Sequence, residues 1–332
     1  MSLIRWGILG CGGIARSFAK GLLELPDARL VAVASSDADR AKTFATEWKA
    51  EKAFGRYEDL AKCSEVDVVY IASTHPGHYP HAKMCLEGGR HVLCEKPITM
   101  NAAQARSLQE IAQKNQGFLM EAMWTRFIPA VLRLQEMLAQ GVIGKVQMLQ
   151  ADFGISNDWA PTHRMVDPAK GGGALLDLGV YPLTFARLIM GADPITIQGQ
   201  MIPYPATGVD GLGAYLLSYP QGRVALLSSS CTLKTPHEAR IFGDKGRIVV
   251  PDFFHPQGFT IHRHDTSVAE VEEVKVPFVS TGYQFEAAEV GRCLRAGLKE
   301  SPKCPMSETI AIMESMDALR KQWGLTYSSE HV

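Results

Sequence analysis

Two groups of residues in this chain have types and spacings suited to chemistry. The first is Gly10-Cys11-Gly12-Gly13-Ile14-Ala15, which follows the apolar run Ile4 to Leu9 and opens a helical stretch. Gly10 permits a tight turn, Gly12 lets the backbone approach a pyrophosphate, and Ala15 lets helix and strand pack closely. The free amides at the helix start, around Gly13 and Ile14, would hold the anion. The second group pairs Cys94-Glu95-Lys96-Pro97, at the end of the run His91 to Cys94, with the glycine-led segment Gly171 to Tyr181. Lys96, stiffened by Pro97, sits at the carboxyl edge of a strand, where open α/β sheets bind ligands. If the second segment is helical, Asp177 and Tyr181 share a face and offer a carboxylate and a phenol to a substrate hydroxyl or carbonyl. Pro182 removes one helical hydrogen bond and biases Tyr181 away from helical angles, so the pair is expected to flank a kink. By pattern alone, a solvated Lys and a core Tyr bonded to Asp would also account for these residues.

The first third of the chain supplies elements that could position such groups. Short β-branched runs alternate with helical stretches: Ile4 to Leu9 then Ile14 to Leu25, Leu30 to Ala34 then Asp39 to Trp48, Val66 to Ala72 then His78 to Glu87, His91 to Cys94 then Ala102 to Asn115. This βαβαβαβ order predicts an α/β fold, a doubly wound parallel sheet of Rossmann type, over residues 1–123. From Trp124 the texture changes. A helix at Pro129 to Gln140 leads to alternating runs at Val146 to Phe153, Ile195 to Met201, Gly213 to Tyr219, Arg223 to Ser230, Arg240 to Phe242, Arg247 to Val250 and Phe259 to His264. Pro220-Gln221-Gly222 and Asp244-Lys245-Gly246 read as hairpin turns. Residues 124–332 are therefore expected to form an α+β domain with a mostly antiparallel open sheet. Helices at Gly173 to Met190, Phe285 to Leu298 and Met306 to Trp323 would cover one face, the last packing back on the first domain.

The second strand ends Ala34-Ser35-Ser36-Asp37, where an NAD site usually places a carboxylate against the ribose 2′-hydroxyl. Ser35 and Ser36 instead offer donors to phosphate oxygens and Arg40 adds charge, which favours NADP. Two other readings stay open: Asp37 is the ribose ligand if the strand ends later, or Ser36 and Asp37 cap the next helix. Composition narrows the function classes. Lys+Arg number 34 against 35 Asp+Glu, a net charge of -1, which gives no field of one sign to hold nucleic acid or an acidic membrane. No apolar run reaches the roughly 18 residues of a membrane span, and the amino-terminal residues lack a signal-peptide pattern, so a cytoplasmic protein is expected. The 7 Cys include no Cys-x-x-Cys pair and read as free thiols. His78 and His81, three apart, lack further ligands at useful spacing and read as ordinary helix residues; no metal is expected.

Taken together, the glycine turn, Cys94-Glu95-Lys96-Pro97 and the Asp177/Tyr181 segment resemble the Gfo/Idh/MocA oxidoreductase family. Many members carry His where this chain has Tyr181. Tyr there, with Met120 to Phe127, Ala151-Asp152-Phe153-Gly154 and Met316 to Leu325, is similar to the dihydrodiol and D-xylose dehydrogenase branch. The resemblance implies hydride transfer between a nicotinamide (NADP, with NAD as the alternative) and a hydroxyl-bearing carbon of a sugar or trans-dihydrodiol. Tyr181 would be the acid/base, Lys96 its neighbour from the other domain, and Asp177 a group that orients substrate or tunes Lys96. A free phenol, with a pKa of roughly 10, needs such a cation to act as a base near neutrality. Ser73, Thr74 and His75 resemble the family's loop under the cofactor ribose, and Glu95 would join the cofactor site. Trp124, Arg126, Phe153 and Phe278 would line the substrate pocket, and Phe153 is equally well placed for the core. The branch's dihydrodiol enzymes carry Arg beside the 2′-phosphate where this chain has Ser36. A homodimer through the second sheet is implied. Two rivals are a non-catalytic nucleotide sensor, which would lose Lys96 or Tyr181, and an NAD-linked inositol-type dehydrogenase, which would carry a carboxylate at position 35 and His at 181.

Overall fold

The computed structural model describes residues 2–264 and 271–330, which divide into two compact units. In the first, strands and helices alternate as β1 (Ile4–Leu9), α1 (Gly13–Leu22), β2 (Ala28–Ala34), α2 (Ala38–Trp48), β3 (Lys52–Phe54), α3 (Tyr57–Ala61), β4 (Val68–Ile71), α4 (His75–Glu87), β5 (His91–Glu95), α5 (Ala102–Lys114) and β6 (Leu119–Ala122). The six strands lie in the order β3-β2-β1-β4-β5-β6, all parallel. Helices on both faces explain why β4 is buried along its whole length. Three elements carry too few periodic residues to be read in the sequence: β3, α3 and β6.

The second unit holds α6 (Pro129–Ala139), β7 (Val146–Gly154), α7 (Val180–Met190) and strands β8 (Thr196–Pro203), β9 (Asp210–Ser218), β10 (Val224–Ser230), β11 (Ala239–Gly243), β12 (Gly246–Val250), β13 (Gly258–Arg263) and β14 (Val271–Lys275). Their eight-stranded sheet runs β14-β13-β12-β11-β7-β10-β9-β8. It is antiparallel except where β7 pairs with β10. Strand β14 was not legible as a strand: its Val-Glu-Glu-Val-Lys pattern exposes alternate residues at a sheet edge. The segment 168–190 is apolar and long enough to cross a membrane by composition, yet 83% of its apolar window is buried in the protein.

The expected single break near residue 124 is corrected. The chain returns to the first unit over Val279–Ile310, bringing α8 (Tyr283–Arg295) with it. Gly21 on α1 permits the close packing of this returning segment, because an added Cβ would sit 2.9 Å from the Gln284 amide nitrogen. Of the last helix, α9 (Met306–Trp323), only the first turn belongs to the first unit. Its later turns pack in the second, Leu319 against Gly199 and Trp323 against Gly213.

A buried carboxyl in the first unit has a measurable consequence. Glu286 on α8 is 0% exposed and its carboxyl oxygens have no hydrogen-bond partner among the described residues. Burial, with Glu95 and Glu121 nearby, pushes its pKa well above the ordinary value. The folded protein therefore holds a proton that the unfolded chain releases above its own carboxyl pKa, and stability falls as pH rises from there toward the raised folded value. Glu286→Gln is expected to flatten this trend, which has a slope of at most about 1.4 kcal/mol per pH unit. Urea melts of both proteins between pH 5 and pH 8 (about one unit apart) check it, and parallel pH dependences would contradict a neutral Glu286.

Candidate active site

The glycine turn sits at the carboxyl edge of the parallel sheet, beside the switch point between β1 and β4. Gly10 adopts φ +96, and a Cβ on it would lie 2.7 Å from the Ala72 carbonyl oxygen after β4. The Gly10 amide donates to Ala34 O at 2.9 Å, at the end of β2, so the turn is clamped between both neighbouring strands. Gly12 caps α1 without a side-chain hydrogen bond, and no acidic residue occupies the first turn. A Cβ on Gly12 or Gly13 would meet nothing within 4 Å. The space beside Gly12 and Gly13 at the start of α1 is therefore open, a cradle that fits the pyrophosphate of a dinucleotide. Burial pushes the Cys11 thiol up to about 11, so it serves as packing there.

At the end of β2, Ser35 is buried and Ser36 exposed. Arg40 donates through Nε to Ser35 Oγ at 2.9 Å and through Nη2 to Ser36 Oγ at 3.4 Å. The strand ends at Ala34, and Asp37 accepts the Arg40 amide at 2.9 Å as the cap of α2. That amide bond holds the Asp37 carboxyl below its usual range. The capping reading of Asp37 is therefore the one realised.

Lys96 follows β5 and is half-buried. Its amide donates to Glu95 Oε2 at 3.2 Å, and the Tyr70 hydroxyl donates to Glu95 Oε1. The Ile98 amide donates to Glu121 Oε1 at 3.0 Å, and Thr309 donates to Glu121 Oε2 at 3.2 Å. The Lys96-Pro97 peptide is cis. Ser73 and Thr74 follow β4. Thr74 caps α4 without a side-chain bond, Ser73 Oγ meets His81 Nδ1 at 3.0 Å, and His75 is buried. Trp124 stacks on Tyr283 at 4.6 Å within this first unit, so it does not belong to the second domain as expected.

In the second unit the segment from Gly173, expected as a helix with Asp177 and Tyr181 flanking a kink, winds in two parts. A π-turn, Leu175–Gly179, precedes α7, and the Val180 amide donates to Leu175 O, five residues back. The physical reason is Pro182, which has no N–H to return to Leu178 and whose ring would crowd that carbonyl; one extra residue per turn relieves both. Asp177 thus lies in the wider turn and Tyr181 at the start of α7. The Leu175 amide donates at 2.5 Å to Asp210 Oδ2, a carboxylate on β9 that burial pushes up to about 7. Gly173, at φ +125, has no room for a Cβ against the other Asp210 oxygen. The Tyr327 hydroxyl donates to Gly172 O at 2.6 Å.

Asp177 is buried and accepts from Arg164 Nη1 at 3.1 Å, a residue the sequence reading missed. Tyr181 is 7% exposed. Its ring lies 5.3 Å from Phe153 and 5.8 Å from Phe254, while Phe153 stacks on Phe254 at 4.4 Å and meets His237 at 4.8 Å. Phe254 was also missed; the signal was the pair Phe253-Phe254 held between Pro251 and Pro256. Phe278 contacts His255 at 5.0 Å and Arg126 is buried. Lys96 is carried by the first unit, Asp177 and Tyr181 by the second.

Residues 4–123 match the profile of an oxidoreductase family with an NAD-binding Rossmann fold, and residues 131–249 match the GFO/IDH/MocA C-terminal domain. The chain is 38% identical to trans-1,2-dihydrobenzene-1,2-diol dehydrogenase of Mus musculus over 340 residues, covering 98% of this chain and 99% of the relative. The Homo sapiens enzyme is 36% identical over 341 residues, with 98% and 99% covered. Among solved structures, KijD10, a 3-ketoreductase from Actinomadura kijaniata in complex with NADP and TDP-benzene, superposes with a TM-score of 0.86 at 28% identity, covering 96% of this chain and 98% of that one. The fold is also that of an aldose-aldose oxidoreductase from Caulobacter crescentus, with a TM-score of 0.86 at 20% identity and 96% and 98% covered. The chain belongs to the Gfo/Idh/MocA oxidoreductase family. Within it, this protein is an NAD(P)-dependent dehydrogenase acting on CH–OH groups.

Gly12→Ala adds a methyl group where the protein leaves space for phosphate. It is expected to keep the melting temperature within about 2 °C and to weaken NADPH binding at least about tenfold. Fluorescence titration of the reduced nucleotide measures this; unchanged affinity would remove the turn from the nucleotide site.

Proposed function

We propose that this protein is an NADP-dependent dehydrogenase that oxidises a hydroxyl-bearing carbon of a trans-dihydrodiol or cyclic sugar, with Tyr181 as acid/base acting with Lys96. The substrate class rests on the full-length likeness to trans-1,2-dihydrobenzene-1,2-diol dehydrogenases, and this likeness carries the reading. The cofactor preference is supported by Arg40 lying on both Ser35 and Ser36 hydroxyls, where an NAD site would place a carboxylate. Arg40 compensates for Ser36 standing where the branch's dihydrodiol enzymes have Arg.

When bound, the nicotinamide supplies the hydride acceptor. Tyr181, as phenolate, takes the proton of the substrate hydroxyl and returns it in the reverse direction. The Lys96 ammonium favours the phenolate over the phenol. Asp177, paired to Arg164, is a polar group one turn before Tyr181, while Phe153 and Phe254 offer an apolar wall to a ring or sugar face. Both Lys96 and Tyr181 are kept, which disfavours the sensor reading. Ser35 and Tyr181 stand where the inositol-type reading requires a carboxylate and His, which disfavours it.

The test is an absorbance assay of reduced nicotinamide with NADP or NAD against pentoses, hexoses, inositols and a trans-dihydrodiol. Tyr181→Phe is expected to lower kcat by about 10² to 10⁴-fold with nucleotide binding retained. Arg40→Ala in the same panel is expected to raise the KM for NADP about tenfold and to leave that for NAD within about twofold. Full turnover by Tyr181→Phe would refute its assignment.

We also propose a homodimer through the open face of the second sheet. Leu216 and Leu226 pair across β9 and β10, 37% and 42% exposed, in a groove of about 830 Å³ flanked by Gln150, Gln198 and Arg240. Leu226→Glu is expected to shift sedimentation equilibrium from dimer to monomer; a monomeric parent protein would overturn the proposal.

A further inference from the structure

The imidazole of His78 lies between the two loops that leave β4 and β5 at the carboxyl edge of the parallel sheet. His78 is 1% exposed. Its Nδ1 lies 2.7 Å from Pro97 O and its Nε2 3.0 Å from Ser73 O. One carbonyl belongs to the residue after Lys96, the other to the first residue of the Ser73-Thr74-His75 loop. A ring reaching only one of them would be ordinary helix packing. A ring lodged between two such carbonyls can give its single N–H to only one of them, so which carbonyl it holds decides what it positions.

The surrounding contacts make this the controlling point of the turn. The Lys96 amide is bound by Glu95, its own neighbour, and the Ile98 amide by Glu121; between them, the Pro97 carbonyl is held by His78. Position 78 is itself fixed. His81, one turn later, holds Ser73 Oγ, and Gly77 leaves no room for a Cβ, which would sit 2.9 Å from both His81 Cε1 and Ser73 Oγ. The His75 ring packs edge-on at 5.7 Å. Burial keeps the ring neutral, with its pKa lowered to about 3, so it has one proton to donate. The shorter contact, to Pro97 O, takes it.

We propose that His78 is a positioning residue for the reaction: its Nδ1–H holds the Pro97 carbonyl and so fixes the backbone that carries Lys96. This rests on Lys96 acting in the reaction as described above. A side-chain amide discriminates between the two contacts, because Asn places its NH₂ where Nδ1 stands, whereas Gln reaches the position of Nε2.

The test compares His78→Asn, His78→Gln and His78→Leu with the parent protein in steady-state turnover with NADP, NADPH titration and thermal melts. Rates are taken well below each melting temperature. His78→Asn is expected to retain kcat within about threefold, while His78→Leu and His78→Gln lose about 30-fold or more. NADPH affinity changes far less than kcat in all of them, since the proton the ring gives holds Pro97 O and not the Ser73 loop. Equal losses in Asn and Leu variants, or a Leu variant with parental kcat, would overturn the proposal. Failure of the underlying reading looks different: a parent protein with no turnover, or a Lys96→Ala variant with parental kcat.

Discussion

The nucleotide edge depends on one close approach, that of Gly10 to the Ala72 carbonyl. A parallel sheet brings all its strand ends to one edge, but a dinucleotide needs the first turn to lie flat against the neighbouring strand end. No residue with a Cβ fits there, since the methyl group would press on Ala72 O at 2.7 Å. With Gly10 in place, the Ala34 carbonyl receives its amide and α1 starts with no side-chain cap and no acidic residue in its first turn. The same edge then presents Ser35, Ser73 and Lys96 from the ends of β2, β4 and β5, spaced by the sheet itself.

The second unit answers a different constraint, a proline beside the residue that must be held in place. Pro182 would break an ordinary helix at Tyr181. The chain inserts one residue to make a π-turn and secures the start of that turn with Asp210, while Gly179 lets it settle against the sheet. A Cβ on Gly179 would meet the Tyr215 hydroxyl at 2.7 Å. Asp210 stays buried at a cost that the Leu175 amide offsets, and Tyr327 ties down Gly172 from near the end of the chain. Tyr181 is thus set by partners on β9 and the carboxyl-terminal segment as much as by its own helix.

Much of the candidate site is legible in the sequence because its signals are local. Gly10, Gly12, Ser35, Arg40, Lys96, Asp177 and Tyr181 are marked by glycine spacing, by strand ends and by short-range sequence order. Arg164, Asp210, Glu121 and Phe254 were not read, because each acquires meaning from a partner on another element. Asp210 meets Leu175 35 residues earlier in sequence, and Thr309 meets Glu121 188 residues away. A charged residue opening an otherwise apolar strand was the trace that Asp210 left. His78 reads in sequence as an ordinary helix residue for the same reason: nothing on its own helix reveals that the Pro97 carbonyl from the loop after β5 meets its ring.

The sequence by itself determined the alternation of strand and helix, the glycine turn and the identity of the acid, base and cation candidates, since these follow from side-chain periodicity and backbone sterics within a few residues. Only the tertiary structure decided that residues 279–310 return to the first unit, that the segment before Tyr181 winds as a π-turn, and that Arg164 pairs with Asp177. Those outcomes are set by packing and hydrogen bonding between segments distant in sequence, where the burial of one group is decided by whether another arrives to satisfy it.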